Sequence, residues 1–282
     1  MHPRWRPEPG LLLVFPQWQG AGALPGLRDS ALAIAEGISG ARRRIEVPVP
    51  PAHLLSREQG IEGRTELLVQ LARAREILEA EAPERVLAVG GDCGIEVPVI
   101  SYLNARCGGR LAVLWLDAHP DLNTPETSPS GHFHGMPLRV LLGEGDPGFT
   151  ALVERPLRSD QVLLAGTRSF DPPERELAER LGLRLFAPER ALAVFPLLVE
   201  AIQESGRGRV YVHLDLDICD PREVPSVACP TPGGIGVEPL LRLLAELCGE
   251  VELVGAGLTE ALFEGPLIPS ALQPIVEWFG TL

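Results

Sequence analysis

Residues 111–121 read LAVLWLDAHPD, and this stretch decides the fold class. Six consecutive apolar residues precede Asp117, His119 and Asp121. A strand that is apolar on both faces is typical of a parallel sheet covered by helices on both sides. In open sheets of this type, ligands bind just beyond the carboxyl ends of the strands. The stretch therefore predicts a buried strand with functional residues at its carboxyl end.

The same apolar pattern recurs along the chain. Further runs of strand length lie at residues 11–15, 86–89, 162–165, 210–214 and around 253–254. Helical spacing places on one face Leu67, Leu71, Ala74 and Leu78. Helices are also predicted at 189–202, 238–247 and 271–279. Because no stretch resembles an interdomain linker, residues 1–282 are expected to form a single α/β domain around a mostly parallel sheet.

Polar residues follow most of these apolar runs. They include Asp92 and Cys93 after the second run, Asp215 and Asp217 after the fifth, and Glu260 after the last. In extended chain, positions i and i+2 point to the same side, so the D-x-H-x-D and D-x-D sets can each face a common point. The carboxylates and the histidine are therefore expected to converge on one edge of the sheet.

Such a cluster of carboxylates is typical of a metal site. Four carboxylates and one imidazole would repel or perturb one another strongly without a cation. Oxygen-rich ligation favours manganese or another hard divalent ion over a structural zinc, and shared carboxylates allow two ions. A D-x-D pair alone is a weak signal, since either residue often caps a helix or lies at the surface. The two sets together predict the metal site.

Composition narrows the possible partners and chemistry. All 25 basic residues are arginine, which excludes a Schiff-base lysine and a P-loop lysine. With 38 acidic residues the net charge is -13, so neither nucleic acid nor an anionic membrane is expected as a partner. Five cysteines without a CxxC pair predict neither a disulfide framework nor a structural zinc site. A cytoplasmic protein is expected.

Three stretches together resemble the arginase (ureohydrolase) family. Residues 115–137 are similar to the central signature, 213–221 to the DxDxxDP signature, and Gly90-Gly91-Asp92-Cys93 to GGDH. The resemblance implies a three-layer αβα (arginase/deacetylase-like) fold and a centre of two manganese(II) ions. It also implies a homotrimer or homohexamer that hydrolyses a small guanidino substrate to urea and an amine.

The resemblance also implies roles for individual residues. Asp117 and Asp215 would bridge the two ions, and His119 and Asp217 would complete the second site. Asp121 would bind the first ion and orient the attacking water. The implied catalytic residues beyond the metal ligands are His134, which moves a proton, and Glu260, which anchors the guanidinium group. The residues that match the family's contacts to the amino-acid end of the substrate are Asn123, Ser130, Asp171 and Thr231, with His132 in place of an asparagine.

Cys93 departs from the family pattern, which has a histidine ligand of the first ion at this position. A thiolate is a soft ligand that suits zinc or iron better than manganese. The first site would then bind weakly, select a softer ion, or be lost. Two alternatives stay open: a degenerate homologue with one ion or none and little activity, and an agmatinase- or formimidoylglutamase-like enzyme. His213 is interpreted as a packed or hydrogen-bonded residue rather than a ligand.

Overall fold

The computed structural model describes residues 10–38, 43–50, 54–188, 191–204 and 208–282. Eight strands form one parallel sheet in the order β2-β1-β5-β10-β9-β6-β7-β8. Their bounds are β1 Leu11–Phe15, β2 Arg43–Glu46, β5 Val86–Gly90, β6 Leu111–Leu116, β7 Val162–Ala165, β8 Arg184–Phe186, β9 Arg209–Asp215 and β10 Glu252–Thr259. A separate two-stranded ribbon pairs β3 (Arg57–Glu58) with β4 (Ile61–Glu62). The parallel α/β class is therefore confirmed.

All six apolar runs are strands of this sheet. The sequence did not predict the two edge strands, β2 and β8. β2 reads RRIE and is mostly exposed, and β8 has only three residues, so neither forms a long apolar run. Edge strands are commonly short or charged, which prevents pairing with other chains.

Helices cover both faces of the sheet. On one face lie α2 (Arg64–Glu81), α3 (Glu96–Arg106), α4 (Pro137–Leu141), α5 (Pro147–Thr150) and α6 (Pro172–Leu181). On the other face lie α1 (Gly26–Gly37), α7 (Ala191–Glu204), α8 (Val237–Glu250) and α9 (Gln273–Thr281). The arrangement gives three layers. Within the described part of the chain, no helix combines the length and apolar character that crossing a membrane requires.

The helical predictions agree with the structure for α2, α7, α8 and α9. The α2 face predicted from spacing is buried, since Leu67, Leu71, Ala74 and Leu78 are all 0% exposed. The predicted start of α7 at Glu189 lies outside the described residues. The sequence did not predict α1, α3, α4, α5 and α6. α3 is buried around most of its circumference, so it lacks the polar stripe that reveals a surface helix.

The strand register aligns the carboxyl ends at one edge. Leu258 pairs with both Val89 and Leu214, and Leu116 pairs with Leu214 and Ala165. The segments after β5, β6, β9 and β10 consequently leave the sheet at one level. This alignment brings their polar residues together, as the sequence predicted.

Leu114 offers a test of the packed sheet. The residue lies in the middle of β6 and is 0% exposed. Leu114→Ala is expected to lower the free energy of unfolding by about 2–5 kcal/mol, because the cavity loses apolar contacts on a helix-covered face. The same change at Leu267, which is 83% exposed, should alter stability by less than about 0.5 kcal/mol. Denaturant titration of both variants checks the difference; equal losses would contradict the packing described.

Candidate active site

A cavity of about 130 Å³ opens at the carboxyl edge of the sheet. Its lining includes ten of the residues singled out in the sequence: Cys93, His119, Asp121, Asn123, Ser130, His134, Asp171, Asp215, Asp217 and Glu260. Asp117 is 0% exposed and lies just behind the cavity lining, where it contacts His119. His132 and Thr231 are not among the lining residues.

One group of possible ligands joins Asp117, His119 and Asp217. His119 Nδ1 lies 2.9 Å from Asp217 Oδ2 and 3.6 Å from Asp117 Oδ1. The His119 amide also donates to Asp117 Oδ1 at 2.6 Å, and the Ala118 amide donates to Asp217 Oδ1 at 3.0 Å. The backbone after β6 therefore fixes both carboxylates. One ligand atom from each of the three residues lies within 4.8 Å of the others.

A second group surrounds Cys93. Its thiol donates to Asp215 Oδ2 at 3.0 Å, and its amide donates to Glu260 Oε1 at 3.1 Å. Sγ, Asp215 and Glu260 offer ligand atoms within 4.8 Å of one another. The Asp217 amide donates to Asp215 Oδ1 at 2.8 Å, which ties this group to the first.

Two residues of the site have strained backbone. Asp121 has φ 52° and Glu260 has φ 64°, in the left-handed region that non-glycine residues rarely adopt. Asp121 Oδ2 and Glu260 Oε2 are buried and have no hydrogen-bond partner within the described ranges. Such strain persists only where the surrounding structure imposes it, and it clusters at functional sites. Both free carboxylate oxygens are available to a ligand.

Burial and mutual repulsion dominate the electrostatics of the cluster. Burial raises the pKa of Asp215 and Asp121 well above their usual range, and neighbouring carboxylates, Asp117 among them, add to the effect. The same two causes raise the pKa of Asp217 to about 6. Burial likewise raises the pKa of the Cys93 thiol, and Asp215 adds to it. Without a cation the cluster binds protons; a divalent ion would take their place, so the donors fit a metal centre.

Glu96, which lies outside the sequence motifs, also contacts residues beside the site. His213 Nδ1 lies 2.9 Å from Glu96 Oε1, and Tyr211 donates to Glu96 Oε2 at 2.6 Å. Burial lowers the pKa of His213, but the carboxylates of Asp117 and Glu96 outweigh it and raise that pKa to about 9. Glu96 was not singled out in the sequence. Its signal is a lone charge within the apolar stretch of residues 95–100.

Glu174 is another residue that the sequence analysis missed. One carboxylate oxygen accepts from the Leu122 amide and the other from the Asp171 amide, each at 2.9 Å. Burial raises its pKa to about 7. Glu174 also completes a capping box with Asp171 at the start of α6. The spacing of these two acids, with two prolines between them, was the available signal.

The predicted substrate residues divide into two sets. Asn123 Nδ2 donates to Asp171 Oδ2 at 2.8 Å, so these two lie together on the cavity wall that also includes Ser130. His132 lies 3.6 Å from Glu62, and Thr231 Oγ1 donates to the Cys229 carbonyl at 3.0 Å. His132 therefore has its partner away from the cavity, whereas Thr231 is bonded to Cys229, which lines the cavity. A substrate role for His132 and Thr231 stays a prediction.

His134 lies beside Glu260 at the cavity. Its Nδ1 is 3.2 Å from Glu260 Oε1, the same oxygen that accepts from the Cys93 amide. Burial lowers the pKa of His134, but the charge and hydrogen bond of Glu260 outweigh it and raise the pKa above its usual range. The imidazole is therefore positioned to hold a proton next to the guanidinium anchor that the resemblance implies.

Comparison with known sequences identifies relatives of the chain. The sequence model described as "Arginase family" matches residues 59–262. The arginase of Bacillus caldovelox is 33% identical over 222 residues, which cover 74% of this chain and 73% of that protein. The arginase of Brevibacillus brevis is 38% identical over 155 residues, 53% of this chain and 52% of that protein.

Comparison with solved structures shows the same fold. Entamoeba histolytica arginase, solved in complex with L-ornithine, superimposes with a TM-score of 0.83 at 23% identity, covering 96% of this chain and 97% of that one. Formimidoylglutamase from Bacillus subtilis gives a TM-score of 0.74 at 16% identity, covering 98% and 88%. The sequence matches, which extend over most of the chain, establish that it belongs to the arginase family, whose members are hydrolases that act on a C–N bond.

Proposed function

We propose that the protein hydrolyses the guanidino group of arginine or a related guanidino compound, releasing urea and an amine. The observation that carries this proposal is the set of buried carboxylates in a cavity that Glu260 and His134 also line. The relatives named arginase support the substrate class. Formimidoylglutamase resembles the chain in fold alone, so it gives no separate support for a formimino substrate.

The proposed centre holds two divalent ions. The residues that would hold them are Cys93, Asp117, His119, Asp121, Asp215 and Asp217. Manganese follows from the family resemblance, whereas the Cys93 sulfur favours a softer ion such as zinc or iron at the first position. When bound, such ions lower the pKa of water and polarise the group under attack. Asp117 and Asp215 carry the negative charge that two adjacent cations require.

Protein groups around the ions have distinct tasks. Glu260 Oε2 is free to accept from a guanidinium N–H, because Oε1 is already held by the Cys93 amide and by His134. Asp121 Oδ2 is free to accept a proton of the attacking water. His134 is proposed to transfer a proton to the leaving amine, for which an imidazole suits neutral pH.

The far wall of the cavity would recognise the rest of the substrate. Asp171 is proposed to accept from the α-amine, and Asn123 and Ser130 to donate to the α-carboxylate. The Asn123–Asp171 hydrogen bond holds these two groups in fixed positions before the substrate binds.

We also propose that the chain assembles into a homotrimer or homohexamer, a state that native mass spectrometry would measure.

Urea release tests the proposed reaction. The purified protein, loaded in turn with Mn²⁺, Co²⁺ and Zn²⁺, is expected to release urea from arginine or a related guanidino compound, and chelation should abolish the release. Metal analysis of the active protein is expected to give two ions per chain. No urea from any compound with any ion would contradict the proposal. One ion or none per chain, together with no activity, would instead indicate a degenerate homologue.

Replacing His134 tests its role in proton transfer. His134→Asn is expected to lower kcat about 10²- to 10⁴-fold, because the leaving amine loses its proton donor. His132→Asn makes the same change two residues away at a position outside the cavity lining. Its kcat should be retained, because the predicted contact of His132 with the amino-acid end of the substrate would affect KM. Steady-state kinetics on both variants checks this. An equal loss of kcat in the two would argue against a specific role for His134.

Replacing Asp171 tests recognition of the α-amine. Asp171→Asn retains an oxygen that can cap α6 but removes the charge. KM for arginine should rise roughly 10- to 100-fold, as expected for the loss of a hydrogen bond between charged groups, with kcat largely kept. The matched substrate is 5-guanidinopentanoate, which lacks the α-amine, and its KM should not change. If KM for both compounds rises equally, Asp171 acts on the structure and not on the amine.

A further inference from the structure

His213 presents to the candidate metal centre a ring nitrogen that makes no hydrogen bond within the described residues. Its side chain is 0% exposed and packs against Trp115, with the two ring centroids 3.8 Å apart. Within the described residues Nε2 has no hydrogen-bond partner, and it lies 3.5 Å from Asp117 Oδ2. One ligand atom each from His213, Cys93, Asp117 and Asp121 lies within 4.8 Å of the others. The imidazole therefore belongs to the same cluster as the Cys93 thiol.

The opposite edge of the His213 ring is fixed by Glu96. Nδ1 lies 2.9 Å from Glu96 Oε1, and Tyr211 donates to the other oxygen. Glu96 is 0% exposed, and a buried carboxylate requires such partners. When Nδ1 carries the proton that Glu96 accepts, the neutral ring presents its lone pair at Nε2. A carboxylate that orients a histidine through its second nitrogen is the usual support of a metal-bound imidazole.

A glycine on the intervening strand makes room for this arrangement. Glu96 reaches His213 on β9 across β10, where Gly257 lies. A Cβ at Gly257 would be 1.8 Å from Glu96 Oε1 and 2.8 Å from the Tyr211 hydroxyl. Any other residue there would displace the carboxylate from His213. The pair therefore depends on a space within the sheet as well as on its own hydrogen bond.

We propose that His213 Nε2 is a ligand of the first ion and supplies the imidazole that position 93 lacks, with Glu96 as its positioning residue. The inference rests on the proposed metal centre and refines it. The first ion would bind one sulfur, one nitrogen and carboxylate oxygens, a set that suits zinc, cobalt(II) or iron(II) better than manganese. The second site keeps its oxygen-rich ligands and one imidazole.

Metal counting tests the ligand assignment. The wild-type protein, dialysed against micromolar Co²⁺ or Zn²⁺, is expected to hold two ions per chain, and His213→Gln one. His132→Gln removes an imidazole outside the cluster and should still hold two. Two ions in His213→Gln with unchanged affinity would overturn the inference while the proposed function stands. No ion in the wild-type protein under any metal would overturn both.

A measurement on the wild-type protein avoids dependence on how the variants fold. In the Co²⁺-loaded protein, an N–H of a coordinated imidazole gives a strongly shifted proton resonance. Because His213 is fully buried, its Nδ1–H should exchange slowly with water and be visible. Absence of this resonance from protein that holds two Co²⁺ ions would overturn the assignment. A merely structural ion pair between His213 and Asp117 would leave only the shifted N–H of His119, whose side chain is 31% exposed and whose N–H should therefore exchange quickly with water.

Two further variants test whether Glu96 positions His213 and whether His213 replaces the imidazole that position 93 lacks. Glu96→Gln should weaken binding of the first ion about 10- to 100-fold and leave the second unchanged, as found for partners of metal-bound histidines. Asp146→Asn, at a buried carboxylate paired with Arg64, is the matched control and should change neither. Cys93→His in the His213→Gln background should restore the first ion, so that the protein again holds two ions per chain. Failure of both expectations would overturn the role of Glu96 and of the relocated imidazole.

Discussion

Repulsion among buried carboxylates is the constraint on which the site depends. Asp117, Asp121, Asp215 and Asp217 are each at most 4% exposed, and they lie at one edge of the sheet. Buried carboxylates remain ionised only where cations or hydrogen-bond donors compensate their charge. Backbone amides hold several of the oxygens, but the free oxygen of Asp121 is left for a ligand. The parallel strand register brings these groups together. The fold itself therefore produces the repulsion that a bound cation would relieve.

Ion binding at this cluster would consequently displace protons. The raised pKa values of Asp121, Asp215 and Cys93 all have burial as their first cause and adjacent charge as their second. Metal binding and proton release are then a single exchange, which becomes more favourable as pH rises. The two residues with left-handed backbone, Asp121 and Glu260, border this cluster. Their strain is maintained by the same packed edge that confines the charge.

Much of the fold followed from the sequence because buried parallel strands have a simple signature. The apolar runs before Asp117 and Asp215 marked central strands, and the polar residues after them marked the functional edge. The edge strand of residues 184–186 was too short for such a signature. Glu96 and His213 were not recognised as one unit because they lie 117 positions apart and meet across β10. Such contacts depend on strand order, which no local pattern encodes.

Glu174 connects two loops that line the cavity. Its carboxylate binds the backbone after Asp121 with one oxygen and the backbone of Asp171 with the other. The loop of Asp121, a proposed metal ligand, and the loop of Asp171, the proposed partner of the α-amine, are thereby joined into one frame. Under the proposed function, a shift of one loop would therefore move the residues of the other, which couples substrate selectivity to turnover. Under the proposed function, exchanging side chains on that frame would change which substrates are accepted, whereas rebuilding either loop would disturb the other.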